Sequence, residues 1–535
     1  MGKKHVFQKA KLAGLLAPLG CASYVLSAPI WSGYAGNAQH TALSNVMADS
    51  LQTIRWSTPV DLQPQYSGND LFIHYGSPLI TAANTIVVPV KTGASDGFEL
   101  NAIDASTGTS KWTTGTTDYT LPSHDWTPSY SPVITNTNRV YYAGAGGTLH
   151  YRDNADSAGP VSSGTISFAG NANYAANAAA FNSTVFVNTP LTADASGDVY
   201  FGFRVQGTSP FGAGVTGGIA KIAPDGSATY ATNLTLGAGI HSTTMNCAPA
   251  ISTDGSKVYA AFSTAPSSVA GAGELLELNS STLATMNSVS LVDPHTHNAA
   301  WLPDDGTASP TIGKDGDVYF GVLDESLNNH DRGWLLHFNS DLSTSKTPGA
   351  FGWDDSASIV PASMVSSYHG SSEYLLMTKY NNYASTGGNG VNKIAILDPN
   401  DTQTDPVTGA TVMKEVLTIA GVTHDDEFPG NPNAVREWCI NSAVVDPATD
   451  SVLVNSEDGV LYRWNLSTNT FTESIALTTG IGEAYTPTVI GADGAVYAIN
   501  NATLFSVVPE PSTAMVIAAS LSLLSLRRNR RDGAK

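Results

Sequence analysis

The stretch GSPLITAANTIVVPV, residues 76–90, reads as two short strands around a tight turn. Pro78 opens it, an apolar pair follows, a polar turn ends at Asn84, and an apolar run resumes. Proline is tolerated at the first residue of a strand because no ladder N–H is needed there. The phrase returns as YSPVITNTNRVYYAG (130–144), NTPLTADASGDVYFGF (188–203), CAPAISTDGSKVYAAF (247–262) and ASPTIGKDGDVYFGV (308–322). IVPASMVSSYHGSSEYLLM (359–377) is a looser copy built on Pro361, INSAVVDPATDSVLVNS (440–456) has Ala443 for the proline, and YTPTVIGADGAVYAIN (485–500) closes the series. The DG and NTN turns are hairpin chemistry. Successive copies stand 54, 58, 59, 61, 51, 82 and 44 residues apart. Short strands and Gly/Asp turns at that period predict a β-propeller. A solenoid would repeat in shorter, more regular units.

Eight phrases predict an all-β, eight-bladed ring of four-stranded antiparallel blades. Seven blades is the alternative, since the 361 copy is loose and the 82-residue gap could hide or stretch a unit. Only ATLFSVV (502–508) follows the last phrase, so the final blade lacks an outer strand. SLQTIRWSTPV (50–60) can supply it, closing the ring with strands from both ends and leaving no free edge.

Further strands follow each phrase, most clearly in ELNAIDASTGTSKWTT (99–114). Its spacing of Asp104, Thr107, Gly108 and Trp112 resembles the tryptophan-docking motif of quinoprotein-type propellers. The resemblance implies that Trp112 packs between neighbouring blades while Asp104 and Thr107 fix the turn. Degraded copies are LLHFNSDLSTSK (335–346), IAILDPNDTQTDPVTGATV (394–412) and LYRWNLSTNTFTES (461–474). Residues 45–508 thus resemble PQQ-like repeat proteins. That fold serves quinone-dependent dehydrogenases and cofactor-free scaffolds alike, so it does not give function. The dehydrogenases' adjacent cysteine pair is missing, and nothing clearly matches their calcium-ligand and base cluster. No HExxH, P-loop or CxxC pair is present, and GIHSTTMNC (239–247) is no nucleophile elbow, since it lacks G-x-S-x-G. A non-catalytic protein is therefore expected, with PQQ not expected and Ca²⁺ the cofactor the chain could accommodate.

Hydrophobic residues make up 42% and charged residues 13%, a globular composition. Net charge is −20. The two chain ends hold nine of the 25 bases and two of the 45 acids, which leaves residues 29–508 with 16 bases and 43 acids, a net −27. Such a body repels phosphate backbones, so nucleic acid is not an expected partner. Of three cysteines, Cys21 falls in the leader. Cys247 and Cys439 belong to units four and seven, too far apart in the ring to pair, and are expected as buried thiols.

Residues 1–28 read as a secretory signal: four lysines, an apolar run from Leu12, and small residues near Ser23–Ala28, with cleavage after Ser27. At the other end, Pro509-Glu510-Pro511 precedes a 14-residue apolar run, Thr513–Leu526, and then Arg527, Arg528, Arg530 and Arg531. The apolar run is short for a span, which wants about 20 residues, but arginine snorkelling extends it. Both ends are expected to form short hydrophobic helices. The order of the three tail features resembles the PEP-CTERM sorting signal. It implies recognition by an exosortase, a transient stay in the inner membrane, and delivery to the surface of a bacterium, often one making exopolysaccharide. The domains expected are 1–28 signal, 45–508 propeller and 509–535 sorting segment.

Residues just ahead of each phrase should line one mouth of the channel. They are Phe72, His74 and Tyr75; His124, Asp125, Trp126 and Tyr130; His241, Met245, Asn246 and Cys247; His295, His297, Trp301, Asp304 and Asp305; Trp353, Asp354 and Asp355; Arg436, Glu437, Trp438 and Cys439; Glu483 and Tyr485. Aromatics beside carboxylates suit a sugar, and acids with carbonyls suit Ca²⁺. Trp126, Trp353, Asp354, Asp355, Glu437, Trp438 and Glu483 are the candidate ligand residues, for an exopolysaccharide or a surface protein. An enzyme acting at the same mouth, on an extracellular polymer or as a quinone-dependent dehydrogenase, is the alternative. Residues 382–440 look like a Gly/Pro/Asn-rich loop insertion, with His424, Asp425, Asp426 and Glu427 its most polar group.

Overall fold

Each phrase folds as the two inner strands of one blade, and the ring has eight blades. The computed structural model describes Met1 and residues 27–510, except 69, 267–270, 304–307, 328 and 481–484. The hydrophobic helices expected at the two chain ends fall on residues 2–26 and 511–535, which lie outside the described residues. Among the described residues no helix is long and apolar enough to cross a membrane.

Blade 1 shows the plan: Leu79–Ile80 innermost, then Thr85–Lys91, Phe98–Asp104 and Ser110–Thr113, all antiparallel. Blade 8 closes the ring as expected, pairing Thr53–Pro59 with Thr503–Val508 outside Val496–Asn500 and Thr486–Ile490. Blade 5 is thinner: outside Trp334–Phe338 its fourth strand is reduced to the bridges Leu335–Gly349 and Phe338–Ser345.

The long gap hides no blade. Blade 6 fills it with a hairpin of Lys393–Thr404 and Thr411–Ala420. Part of the polar run read as loop is therefore strand. The register slips between Asp398 and Thr402, so the ladder absorbs the extra polar residues as a bulge. The loose copy is also re-registered. The Ile359 N–H donates to Thr41 O just as the Ile80 N–H donates to Trp31 O, so Ala357, not Pro361, is the counterpart of Pro78.

The core lies between the blades. The phrase's second-strand tyrosines Tyr141, Tyr200, Tyr259, Tyr319 and Tyr497 are among the largest fully buried side chains. Several bolt one blade to the next: the Tyr200 hydroxyl donates to Ser280 O at 3.2 Å, and the Tyr319 and Tyr374 hydroxyls bond at 2.7 Å. Trp112 Nε1 donates across to Ala155 O at 2.7 Å in blade 2, and Asp104 Oδ1 accepts from the backbone and hydroxyl of both Ser106 and Thr107. Trp56, in the outer strand of blade 8, repeats the move on blade 1, donating to Ala105 O at 2.8 Å.

Residues 30–49 form a strap along the inner face of the ring. Its carbonyls accept in chain order: Trp31 O from Ile80, Ser32 O from Ile134, Ala38 O from Ile251, Gln39 O from Ile312, Thr41 O from Ile359 and Ala42 O from Val445. These donors belong to the inner strands of blades 1, 2, 4, 5, 6 and 7. His40, fully buried, adds blade 3 through Nε2 to Thr192 Oγ1 at 3.4 Å and blade 5 through Nδ1 to Pro310 O at 2.8 Å. The strap ends where the Asp49 N–H meets Gly494 O in the inner hairpin turn of blade 8. It therefore lies toward the face where the inner strands end, here called lower. The upper face is where they begin.

Candidate functional site

The upper mouth is built from the segments that lead into the inner strands. Those of blades 8, 1 and 2 are laced by parallel bridges, His74 to Tyr485 and Ile73 to Thr127. The His74 N–H donates to Thr127 O at 2.9 Å and the Tyr75 N–H to Tyr485 O at 3.0 Å. This lacing stacks the His74 ring on Tyr485 with centroids 4.6 Å apart. Trp126 closes on the pair, 5.6 Å from His74 and 5.8 Å from Tyr485, and meets Phe72 edge-on at 4.3 Å.

Blade 6 supplies the polar half. Asp354, left-handed at φ 57°, accepts from the Tyr485 hydroxyl at 2.9 Å. Asp355 Oδ2 accepts the Lys379 N–H at 2.8 Å. Lys379 is the residue the sequence reading missed. It is 3% exposed, and its ammonium lies 5.0 Å from the Tyr485 ring centre and 5.9 Å from that of Trp353, with no hydrogen-bond acceptor. The clue was a single lysine in the otherwise apolar strand Tyr374–Tyr380. Burial lifts the Asp355 carboxyl to about 7, against the opposing pull of the Lys379 N–H and charge. Burial, and then the Lys379 charge, push His74 down to about 3.

The expected site residues therefore divide. Trp353 and Asp355 meet Lys379, and Asp354 and Trp126 join them through Tyr485. Trp438 does not join them: it is fully buried between blades 6 and 7, against Tyr462 at 5.7 Å and Phe471 at 5.9 Å, and offers no face to a ligand. Its neighbours Glu437 and Cys439 meet Glu457, their ligand atoms within 4.8 Å of one another. The Glu437 N–H occupies Glu457 Oε1 at 2.9 Å, and the Arg436 guanidinium stands 3.9 Å from the same oxygen. Glu483, Asp304 and Asp305 lie outside the described residues. Cys247 and Cys439 are both buried and unbridged, as expected, and burial lifts the Cys247 thiol to about 12. The polar loop is a structured turn: Asp425 is buried, accepts the Glu427 N–H at 3.0 Å, and shares Arg436 with Glu427.

No family model matches the chain, and no curated protein does. Solved structures do. A europium-containing methanol dehydrogenase superposes with a TM-score of 0.54 at 10% identity, over 87% of this chain and 89% of that one. The quinohemoprotein alcohol dehydrogenase from Comamonas testosteroni gives 0.49 at 11% identity, over 90% and 82%. Sqt1 of Saccharomyces cerevisiae gives 0.49 at 10%, over 86% and 100%. The likeness is one of fold. A planar quinone needs a slot between flat faces, and at this mouth the His74 face is covered by Tyr485 with Trp126 against both. These three rings pack on one another and form no such slot between them.

Proposed function

We propose that the chain is an exported cell-surface propeller that binds a polysaccharide or a surface protein at its upper mouth and is not itself catalytic. The observation that carries this reading is how the mouth is filled. Aromatic rings occupy its centre, Asp354 is bonded to Tyr485, and Asp355 to the Lys379 backbone. What remains for a partner is the rim, where Trp126 and Trp353 are only half-buried. Half-buried indole rings over carboxylates suit the apolar face and hydroxyl edge of a sugar. The leader and the Pro509-Glu510-Pro511 tail support export, handling by an exosortase at the inner membrane, and surface delivery.

Purified protein tests the reading. A denatured extract should show no quinone absorbance, and the intact chain should co-sediment with exopolysaccharide from its host. Trp126→Ala should weaken that binding about two- to tenfold, the range expected for losing an aromatic contact of about 0.5–1.5 kcal/mol. A stoichiometric quinone would replace this reading with an oxidoreductase.

A further inference from the structure

The connection between the second and third strands of blade 5 runs from Asp324 to Gly333 on the upper face. Asp324 and Asn329 in it are fully buried. The Asn329 N–H donates to Asp324 Oδ2 at 2.8 Å, and its side-chain amide donates to Gly333 O at 2.9 Å. Three oxygens of the loop are left without a donor, Asp324 Oδ1, Asn329 Oδ1 and Asp331 Oδ1, although the Asp331 carboxylate also meets the Thr386 hydroxyl. Asp293 stands behind them, 1% exposed, its carboxylate already taken by the N–H groups of Glu325, His295 and Thr296.

Among the described residues no lysine or arginine ion-pairs with Asp293, Asp324 or Asp331. Arg332, within the same loop, donates Nε to Asn329 O at 2.7 Å and spends its terminal nitrogens in a two-pronged pair with Asp405 at 3.1 and 2.8 Å. Buried acceptors left without partners are rare in proteins, and like charges gathered out of water call for a counter-ion. The donor set is oxygen only, with no thiolate or imidazole, which disfavours zinc. A loop that wraps carboxylate and amide oxygens suits Ca²⁺, which takes six to eight oxygens in flexible geometry. Mg²⁺ demands a tighter octahedron and keeps its waters.

We infer that the blade 5 loop binds Ca²⁺ through Asp324, Asn329 and Asp331. The site shares no residue with the proposed ligand rim and stands or falls apart from it. It does abut that rim: the Gly352 N–H donates to Arg332 O at 3.2 Å, and a side chain at Gly333 would run into Trp353. Ca²⁺ would thus brace the approach to Trp353.

The test is calorimetric titration of the full chain, stripped with chelator, using CaCl₂ and then MgCl₂, with thermal unfolding alongside. One equivalent of Ca²⁺ should bind, the unfolding midpoint should rise, and Mg²⁺ at the same concentration should do neither. Asp324→Asn and Asp331→Asn should each weaken Ca²⁺ at least about tenfold, while Asp425→Asn in the blade 6 turn should leave it unchanged. Should Asp324→Asn fail to fold, Asp331→Asn, nearer the surface, carries the comparison alone. A folded chain that takes up no Ca²⁺ at millimolar concentration, or whose uptake survives Asp331→Asn undiminished, would overturn the inference. A failure to bind polysaccharide would leave it standing.

Discussion

Asp355 and His74 are buried in the same mouth and pull stability in opposite directions as pH changes. Asp355 is held at about 7 against an ordinary 3.8. Between those values the folded chain keeps a proton that the unfolded chain has released, so its contribution is full below about pH 4 and declines as pH rises. His74 and His40 are pushed down to about 3 and about 4 from 6.5, in both cases chiefly by burial. The folded chain refuses protons that the unfolded chain takes up, so their contribution is full above pH 6.5 and is lost on acidification. Asp355→Asn removes the opposing group and leaves the two histidines. Between about pH 4.5 and 6 the variant's stability should climb with pH more steeply than the parent's, by about 1.4 kcal/mol per unit. Urea unfolding at several pH values measures the two slopes, and equal slopes would show that Asp355 does not titrate as its burial implies. A second residue-scale case is Gly108. Its φ is +73°, and a Cβ there would come within 2.7 Å of the Trp56 ring. Gly115 has a similar φ of +66° with nothing near. Both changes to Ala pay the backbone strain, but Gly108→Ala should cost a further 1–3 kcal/mol, roughly the range for overpacking. Equal unfolding midpoints for the two variants would mean that Trp56 is not seated on the blade 1 turn.

At the scale of elements, the blades were legible and the strap was not. A blade advertises itself because its strands alternate buried and exposed positions and its turns demand Gly, Asn or Asp, so each copy repeats the same chemistry. The Asx-x-x-Thr turn of Asp104 and Thr107 recurs at Asn279 with Thr282 and at Asn465 with Thr468. Trp56 escaped notice because its partner blade is the first and its own blade the last. The strap leaves almost no pattern: it binds through backbone carbonyls to inner strands that already have side-chain partners, and main-chain bonding needs no particular residues. Its side-chain bolts are scattered single residues, Trp31 to Ser77, Tyr34 to Ser356, Gln39 to Ile251 O and the fully buried His40, and isolated residues carry no signal in sequence. In the mouth, Trp126 and the Asp354-Asp355 pair were readable as rim chemistry. Trp438 was misplaced because the segment leading into Ile440–Ser442 sends Trp438 into the core between blades 6 and 7 while Glu437 and Cys439 meet Glu457. His40→Ala should cost about 2–4 kcal/mol, from the cavity left and from the unpaired Pro310 carbonyl and Thr192 hydroxyl. It should also speed proteolysis within 30–49 before the blades are cut. Cleavage of blades and strap at one common rate would argue that the strap is no separate element.

The whole molecule has a polarity set by its closure. The strap and the start of Thr53–Pro59 lie at the lower face. The strand Thr503–Val508 runs parallel to the inner strand of its blade, two ladders inward, so it too ends at the lower face. There the Glu510 N–H donates to Gln52 Oε1 at 2.9 Å. The chain therefore leaves the propeller on the side opposite His74, Trp126 and Lys379. With the segment from 509 seated in a membrane as proposed, the lower face would look toward the lipid and the ligand rim outward, away from it by the blade height of about 20 Å, seven strand residues at ~3.3 Å each. Upper-face and lower-face probes separate the alternatives. Lys314, exposed in the inner hairpin turn of blade 5, marks the lower face, and Ser123, exposed in the connection from blade 1 to blade 2, marks the upper. Each can carry a fluorophore through Lys314→Cys or Ser123→Cys, in a background with Cys21, Cys247 and Cys439 changed to Ser. Energy transfer to a lipid-borne acceptor in reconstituted vesicles should be markedly stronger from position 314 than from position 123. The reverse order would turn the rim toward the membrane. The site would then read as one for a lipid headgroup or a membrane partner, and the polysaccharide reading would fail on geometry alone.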